Sequence, residues 1–327
     1  MRPAGSVRAR CAVAPWLIAL AAVLLAACAT PPAQYPEVLA SDDFSPRAVE
    51  LKEVPFFPQE AYQCGPAALA TVMSHAGKPV TPEELEPRVY LPERQGSLQA
   101  ELLAASRREG LIAYTHAPEL RDLLREVTAG NPVLVMQNLG LARVPVWHYA
   151  VVVGFDLDDN TMILRSGTVE REAMSFRRFE RTWRLAERWA LTVHSPGDFP
   201  ESAAEHDYLQ AVAALEGIGQ LAAAERGFAA AVQRWPESHT GWIGLGNSRY
   251  RAGRFAAAEE AYRAAVAAAP ENPAAHHNLA WALIRQGRRD EAYPAAERAT
   301  ELAGEGQDHY RGALEELRHT PVKATTD

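Results

Sequence analysis

Cysteine is scarce in this chain, which has three among its 327 residues. Cys11 and Cys28 belong to an N-terminal apolar segment and its end, so Cys64 is the thiol left in the body of the chain. This excludes a disulfide partner for Cys64 within the mature protein. A lone cysteine in an exported protein is either an inert core residue or a working nucleophile.

Basic residues are also fewer than acidic ones. Lysine and arginine number 33 against 41 acidic residues, which gives a net charge of −8, and no basic stripe is visible. Nucleic acid is therefore excluded as the expected partner. The body of about 300 residues is long enough for two domains.

A membrane-spanning run is missing as well. The apolar stretch from Cys11 to Ala27 is shorter than the roughly 20 residues that a spanning helix needs. It follows three arginines and ends in small residues, which is typical of an export signal.

The run Leu25-Ala26-Ala27-Cys28 resembles the lipobox of bacterial lipoproteins. The resemblance implies cleavage of a signal peptide over residues 1–27 and lipidation of Cys28. Several acyl chains on one residue hold a protein stably to a membrane. Ala29, in place of aspartate, resembles outer-membrane sorting, with the body on the periplasmic side. An ordinary signal peptide cut at small residues and an uncleaved anchor are the alternatives.

The remaining chain is predicted to divide in three. Residues 28–50 are rich in proline and predict a linker. Residues 51–196 mix helical and strand patterns, which predicts an α+β domain with N-terminal helices and an antiparallel sheet. The main predicted elements are helices Gly65–His75, Ser97–Glu109 and Leu120–Thr128, and strands Pro132–Met136, His148–Phe155, Thr161–Arg165 and Trp189–Val193.

The last third repeats with a period of 34 residues. Gly219, Gly253 and Gly287 share one position, and Pro236 and Pro270 share another. This resembles the tetratricopeptide repeat, an all-α solenoid that implies a protein partner. The predicted units are 205–238, 239–272 and 273–306, followed by a C-terminal helix and tail over 307–327. A plain alanine-rich helical bundle is the alternative.

Cys64 stands at the start of the first predicted helix, where unpaired N–H groups favour a thiolate and lower the thiol pKa. A nucleophilic thiol needs a proton acceptor, usually histidine. His148 opens an apolar strand, whereas His75 lies along the same helix as Cys64 and points away from its start. Packed structural roles for Cys64 and His148 are the alternative.

The runs Val54–Gln59 and Gln63–Leu69, together with His148–Phe155, resemble the bacteriocin-processing cysteine peptidases, which are papain-like and cut double-glycine leaders. The resemblance implies a free-standing peptidase in which Cys64 is the nucleophile and His148 the general base. Gln59 takes the place of the oxyanion donor, one residue closer to the cysteine than in exporter-linked members. Gln63 is nearer, but its side chain is expected to point elsewhere.

The third member of that site departs from the family. Ser166 stands where the family has aspartate. Asp156 is unsuitable, because eight strand residues put it roughly 26 Å from His148. Ser166 would orient the imidazole without stabilising its charge, so we expect a slower enzyme, or one oriented by a backbone carbonyl.

Two further features bear on access to this site. The loop Tyr90–Ser97 is either a rim of the cleft or a connector, and Trp147 is expected in the core rather than in the cleft. No cofactor or metal is expected.

The sequence therefore predicts a membrane-anchored periplasmic cysteine peptidase that hydrolyses peptide bonds, with repeats that recruit a protein partner. A catalytically inactive peptide-binding module and an acyl or amide transferase are the rivals.

Overall fold

The head of the chain is a sheet with helices on both faces. The computed structural model describes residues 32–58, 63–304 and 308–319. Within those ranges the head contains helices α1 Tyr35–Ala40, α2 Cys64–His75, α3 Pro82–Val89, α4 Gln99–Arg108, α5 Leu120–Thr128 and α6 Phe176–Arg184. Its strands are β1 Ala48–Glu50, β2 Ile112–Thr115, β3 Val133–Asn138, β4 Trp147–Asp156, β5 Thr161–Ser166, β6 Val169–Ser175 and β7 Ala190–His194.

The strands pair antiparallel in the order β2-β7-β3-β4-β5-β6, and β1 adds to β4. Side chains alternate between the faces of a strand, so β4 feeds two separate cores. Ala150 and Val152 pack with α5 and α6, whereas Tyr149 and Val151 pack with α2, α3 and α4. A central strand that is apolar on both faces is what holds the two helical layers together.

Residues 28–50 do not form the predicted linker throughout, because α1 and β1 fall within this range. Val38 and Phe44 are buried in the same core as α5 and α6. Strand β1 lies against β4 at Gly154, where a Cβ atom would overlap the carbonyl oxygen of Val49. The proline-rich composition is therefore misleading from Tyr35 onward, and residues 35–50 belong to the head.

The C-terminal third is helical. It contains α7 Glu205–Gly217, α8 Leu221–Arg234, α9 His239–Arg251, α10 Phe255–Ala268, α11 Pro273–Arg285, α12 Arg289–Ala303 and α13 Gly312–His319. The glycines at the shared repeat position adopt positive φ between paired helices, at +84°, +74° and +75°. Gly246 approaches the ring of Tyr262 so closely that a side chain there would overlap it. An α+β head followed by helical repeats agrees with the predicted fold class.

None of the helices in the described ranges is long and apolar enough to cross a bilayer. The segment from Cys11 to Ala27, and with it Cys28, lies outside the described residues.

Head and repeats are joined by a buried polar network around Glu126 of α5. Its carboxylate accepts hydrogen bonds from the Asn131 side chain, the Glu201 amide, and both the amide and the hydroxyl of Ser202. Because the Ser202 hydroxyl donates to Glu126, it accepts from Nδ1 of His116 at 3.1 Å. The segment that leads into α7 is thus fixed to the head by a fully buried carboxylate.

We predict that Glu126→Ala lowers the free energy of unfolding by about 3 kcal/mol or more, because it leaves several buried donors without an acceptor. Urea unfolding followed by tryptophan fluorescence measures this loss. Glu119→Ala, at the exposed start of the same helix, is the matched control and should change the stability by about 0.5 kcal/mol or less. Equal losses in the two variants would contradict the role given to Glu126.

Candidate active site

Cys64 is the first residue of α2, a helix whose first three turns are buried against the sheet. Pro66 fits the first turn, because the N–H that it lacks would have had no partner there. Gly65 lies against the side chain of Ser97, and any Cβ atom on Gly65 would overlap it. The sequence Cys-Gly-Pro therefore lets the head of the helix press closely against the loop that precedes α4.

His148 is the second residue of β4 and pairs with Gln137 of β3. Its Nε2 atom lies 2.9 Å from the hydroxyl oxygen of Ser166. Ser166 ends β5, and the alternation of side chains places it on the same face of the sheet as His148. The predicted partner therefore orients the imidazole, and Nδ1 is the ring nitrogen that Ser166 leaves available.

Cys64 and His148 line one cavity of about 870 Å³ at the end of the sheet. Within the described chain no hydrogen bond joins the two side chains; instead, the backbone amide of Tyr149 acts on the Cys64 thiol. That amide directly follows His148 in the chain. The first residue of α2 and the second residue of β4 thus line the same cavity.

The thiol pKa was expected to be low, and the structure reverses this expectation. Burial raises the pKa of Cys64, and the amides of Tyr149, Gly65 and Cys64 itself oppose the shift without cancelling it. The first turn of a helix offers partial positive charge, but loss of water around the sulfur costs the thiolate more.

Burial also lowers the pKa of His148, while the negative charge of Glu172 acts in the opposite direction. A raised thiol pKa and a lowered imidazole pKa together leave both groups neutral at pH 7. The free protein therefore holds a thiol and a neutral base at one cavity rather than a preformed ion pair. This arrangement suits a base that takes the proton as the sulfur attacks.

The carboxylates near the site do not replace the missing aspartate directly. Asp156 lies at the opposite end of β4, where it accepts hydrogen bonds from the amides of Asp158 and Asp159. Glu172 pairs with Leu164 across β5 and β6, on the face that carries Ser166. It contributes charge near His148 but makes no hydrogen bond to the imidazole within the described chain.

Two predicted site residues lie outside the described residues: Gln59 and the lipidation site Cys28. Their roles stay predictions. Gln63 is described, and its side chain amide donates to Glu86 at 3.4 Å, away from the cavity. Arg165 holds the segment before Gln59, because its guanidinium donates hydrogen bonds to the carbonyl oxygens of Lys52 and Val54.

Trp147 is half exposed and lines the cavity, so its expected place in the core is wrong. It lies in the first position of β4, beyond the reach of the packed helices. The loop before α4 also lines the cavity through residues 94–97, which makes it a rim rather than a connector alone. The other head histidines are occupied elsewhere: His75 contacts the carbonyl oxygen of Gly130, and His116 and His194 share Thr192.

The described residues hold no group of three or more histidine, cysteine, aspartate or glutamate side chains arranged for a metal ion.

Comparison with known proteins agrees with this geometry. Residues 51–191 match the model of the Peptidase_C39-like family, and residues 208–273 and 243–309 match that of the tetratricopeptide repeat. The chain carries a C39-like peptidase domain followed by tetratricopeptide repeats. The predicted fold class is thereby confirmed. No curated protein matches the chain.

Three solved structures are similar in fold to parts of the chain. The peptidase domain of Streptococcus ComA, a bi-functional ABC transporter of a quorum sensing pathway, is 21% identical over 43% of this chain and 98% of its own, with a TM-score of 0.36. A C39-like peptidase from Bacillus anthracis is 18% identical over 45% and 96%, with a TM-score of 0.38. The Yersinia enterocolitica type III secretion translocator chaperone SycD is 18% identical over 35% and 82%, with a TM-score of 0.33.

Two side chains of this region are not predicted from the sequence. The Ser97 hydroxyl is buried against Gly65 in the lining of the cavity, and it has no hydrogen-bond partner among the described residues. Glu172 supplies the charge that acts on His148. The alternation of side chains along β6 indicates that Glu172 lies on the face of Ser166. Nothing in the sequence near Ser97 predicts its contact with Gly65.

We predict that alkylation of Cys64 by iodoacetamide becomes about tenfold faster per pH unit from about pH 6 to about pH 8, without a plateau. The reason is that the raised pKa of the thiol keeps the reactive thiolate a minor species throughout this range. Mass spectrometry of the Cys64 peptide measures the rate separately from the other cysteines. A plateau below pH 8 would show a preformed thiolate and contradict the neutral pair.

Replacing Ser166 by aspartate should supply the charge that the site lacks. A carboxylate at this distance raises the pKa of His148 by roughly one unit or more and favours the ion pair. We therefore expect Ser166→Asp to alkylate about tenfold faster at pH 7 than the wild type. Ser166→Asn is the neutral control of similar size. Equal rates for the aspartate and asparagine variants would show that charge at position 166 is irrelevant.

Proposed function

We propose that this chain is a cysteine peptidase, anchored by lipid at Cys28 to the outer membrane on its periplasmic side. The observation that carries the catalytic part is the shared cavity of Cys64 and His148, with the imidazole held by Ser166. The lipobox-like run before Cys28 supports the anchor. The repeats, which in related proteins bind peptides and proteins, would recruit a partner or present the substrate.

The reaction follows from the neutral pair. As the Cys64 sulfur attacks the peptide carbonyl carbon, its proton passes to Nδ1 of His148, while Ser166 holds Nε2. The carbonyl oxygen becomes an oxyanion near the first turn of α2, where the amide of Cys64 and the side chain of Gln59 would donate hydrogen bonds.

Collapse of this intermediate breaks the C–N bond, and His148 returns the proton to the leaving amine. A thioester to Cys64 remains. Water then attacks the thioester carbonyl and gives its proton to His148, and release of the carboxylic acid restores the thiol.

A catalytically inactive peptide-binding module is the second candidate. It is favoured by Ser166 in place of a carboxylate and by the raised pKa of the Cys64 thiol. Under this alternative the cavity binds a peptide without cleaving it.

The two candidates differ in the behaviour of purified full-length protein with fluorescein-labelled casein and with a peptidyl acyloxymethyl ketone. We expect wild-type protein to cleave casein and to be labelled at Cys64. Cys64→Ala should abolish both, and His148→Ala should slow both by about 10²–10⁴-fold. His75→Ala, an exposed change on the same helix, is the matched control and should behave as wild type.

Casein left intact by the wild type, with Cys64 labelled no faster in wild type than in His148→Ala, would favour the binding module and overturn the peptidase proposal.

A further inference from the structure

An apolar hairpin joins β3 to β4 beside the cavity. The described chain exposes few large apolar side chains, and five of them fall within residues 139–147. They are Leu139, Leu141, Val144, Val146 and Trp147. The two at the tip, Leu141 and Val144, are 66% and 68% exposed. A concentrated apolar patch of this kind on a folded domain marks an interaction site.

This hairpin is held in shape by its own hydrogen bonds. The buried Asn138 accepts from the amides of Gly140 and Val146 and donates to the carbonyl oxygen of Leu141. Backbone bonds link Leu139 to Val146, and Leu141 to Val144 in both directions. A side chain at Gly140 would overlap the carbonyl oxygen of Val144. These amide and carbonyl groups thus form hydrogen bonds within the hairpin. The apolar side chains remain exposed on a hairpin of defined shape.

The hairpin continues directly into the cavity of Cys64 and His148. Pro145, Val146 and Trp147 line that cavity, and so does Leu98. Arg94 is the one permanently charged side chain among the described lining residues, and no acidic residue is among them. The cavity is therefore bounded by apolar and uncharged polar side chains, with the apolar ones contributed largely by the hairpin and the start of β4.

We infer that residues 139–147 form an apolar wall of the substrate cleft, which binds bulky apolar side chains next to the cleaved bond. This inference rests on the proposed function and names its substrate class. A pair of glycines at the cleaved bond would leave Val146 and Trp147 uncovered. Burial of apolar side chains in such a pocket is worth about 10-fold or more in selectivity.

An apolar hairpin that carries a single arginine, Arg143, also has the features of a segment that binds a lipid surface. The structure favours the peptide. The wall is continuous with the cavity that holds the thiol. In addition, β1, the first strand after Cys28, pairs with the other end of β4, roughly 30 Å along the strand from the hairpin.

The test compares two peptidyl acyloxymethyl ketones of equal length, one with Leu-Phe and one with Gly-Gly next to the reactive group. Wild-type full-length protein should be labelled at Cys64 at least about tenfold faster by the Leu-Phe probe. The double variant Val146→Ser/Trp147→Ser should lose this preference. Ile218→Ser, which alters a side chain of similar exposure in the repeats, is the control and should keep it.

The outcomes separate the two proposals. Equal labelling by both probes, still dependent on His148, would overturn the apolar wall and leave the peptidase standing. Labelling by neither probe would overturn the peptidase and the wall with it.

Hydrogen exchange of the full chain decides between peptide and lipid. Slower exchange of the amides in residues 139–147 after labelling with the Leu-Phe probe supports the wall. Protection by phosphatidylglycerol vesicles, with none from the probe, would assign the hairpin to a membrane surface and overturn the inference.

Discussion

The contact between the head of α2 and the head of β4 is the interaction on which the rest of this structure depends. Gly65 and Pro66 allow the helix to approach the Ser97 loop, and the buried side chains of α2 pack on Tyr149 and Val151. Because each element is anchored along its length in an apolar core, its first residues are held in place although they line an open cavity. Cys64 and His148 are thus brought together by packing.

The same packing sets the electrostatics of the site. Removal of water from the sulfur and from the imidazole raises the pKa of Cys64 and lowers that of His148, so the two effects act together against an ion pair. Ser166 fixes the ring without adding charge. Close packing removes the water that would stabilise a thiolate, so a closely packed sulfur and a low thiol pKa oppose each other. In this chain the packing is close and the thiol pKa is raised.

A second constraint joins the head to the repeats. The buried carboxylate of Glu126 binds the segment that leads into α7. Ile112 and Tyr114 of the edge strand β2 share a core with Tyr208 and Phe228 of the first repeat helices. The repeats cover the edge of the sheet and leave the cavity end open. A partner bound to the repeats would therefore lie at a fixed position relative to the site.

Much of this could be read from the sequence. The period of 34 residues, the apolar run after His148 and the Cys-Gly-Pro helix start predicted the repeats, the central strand and the site, because each rests on local periodicity or on residue-specific backbone preference. Ser166 was found by its place on the return strand. Strands β3, β4, β5 and β7 were predicted for the same reason, whereas the short strand β2 and the polar edge strand β6 were missed.

Only the tertiary structure decided the rest. α1 and β1 are stabilised by their contacts with β4 and α6. The proline-rich composition of this segment does not predict those contacts. The pKa of Cys64, the burial of Ser97 and the exposure of Trp147 depend on which distant residues exclude water. The sequence by itself determined the helical repeats, helix α2 and the central strand β4, since these follow from neighbouring residues. Their solvation was decided by the fold, since burial is a property of the whole assembly of elements.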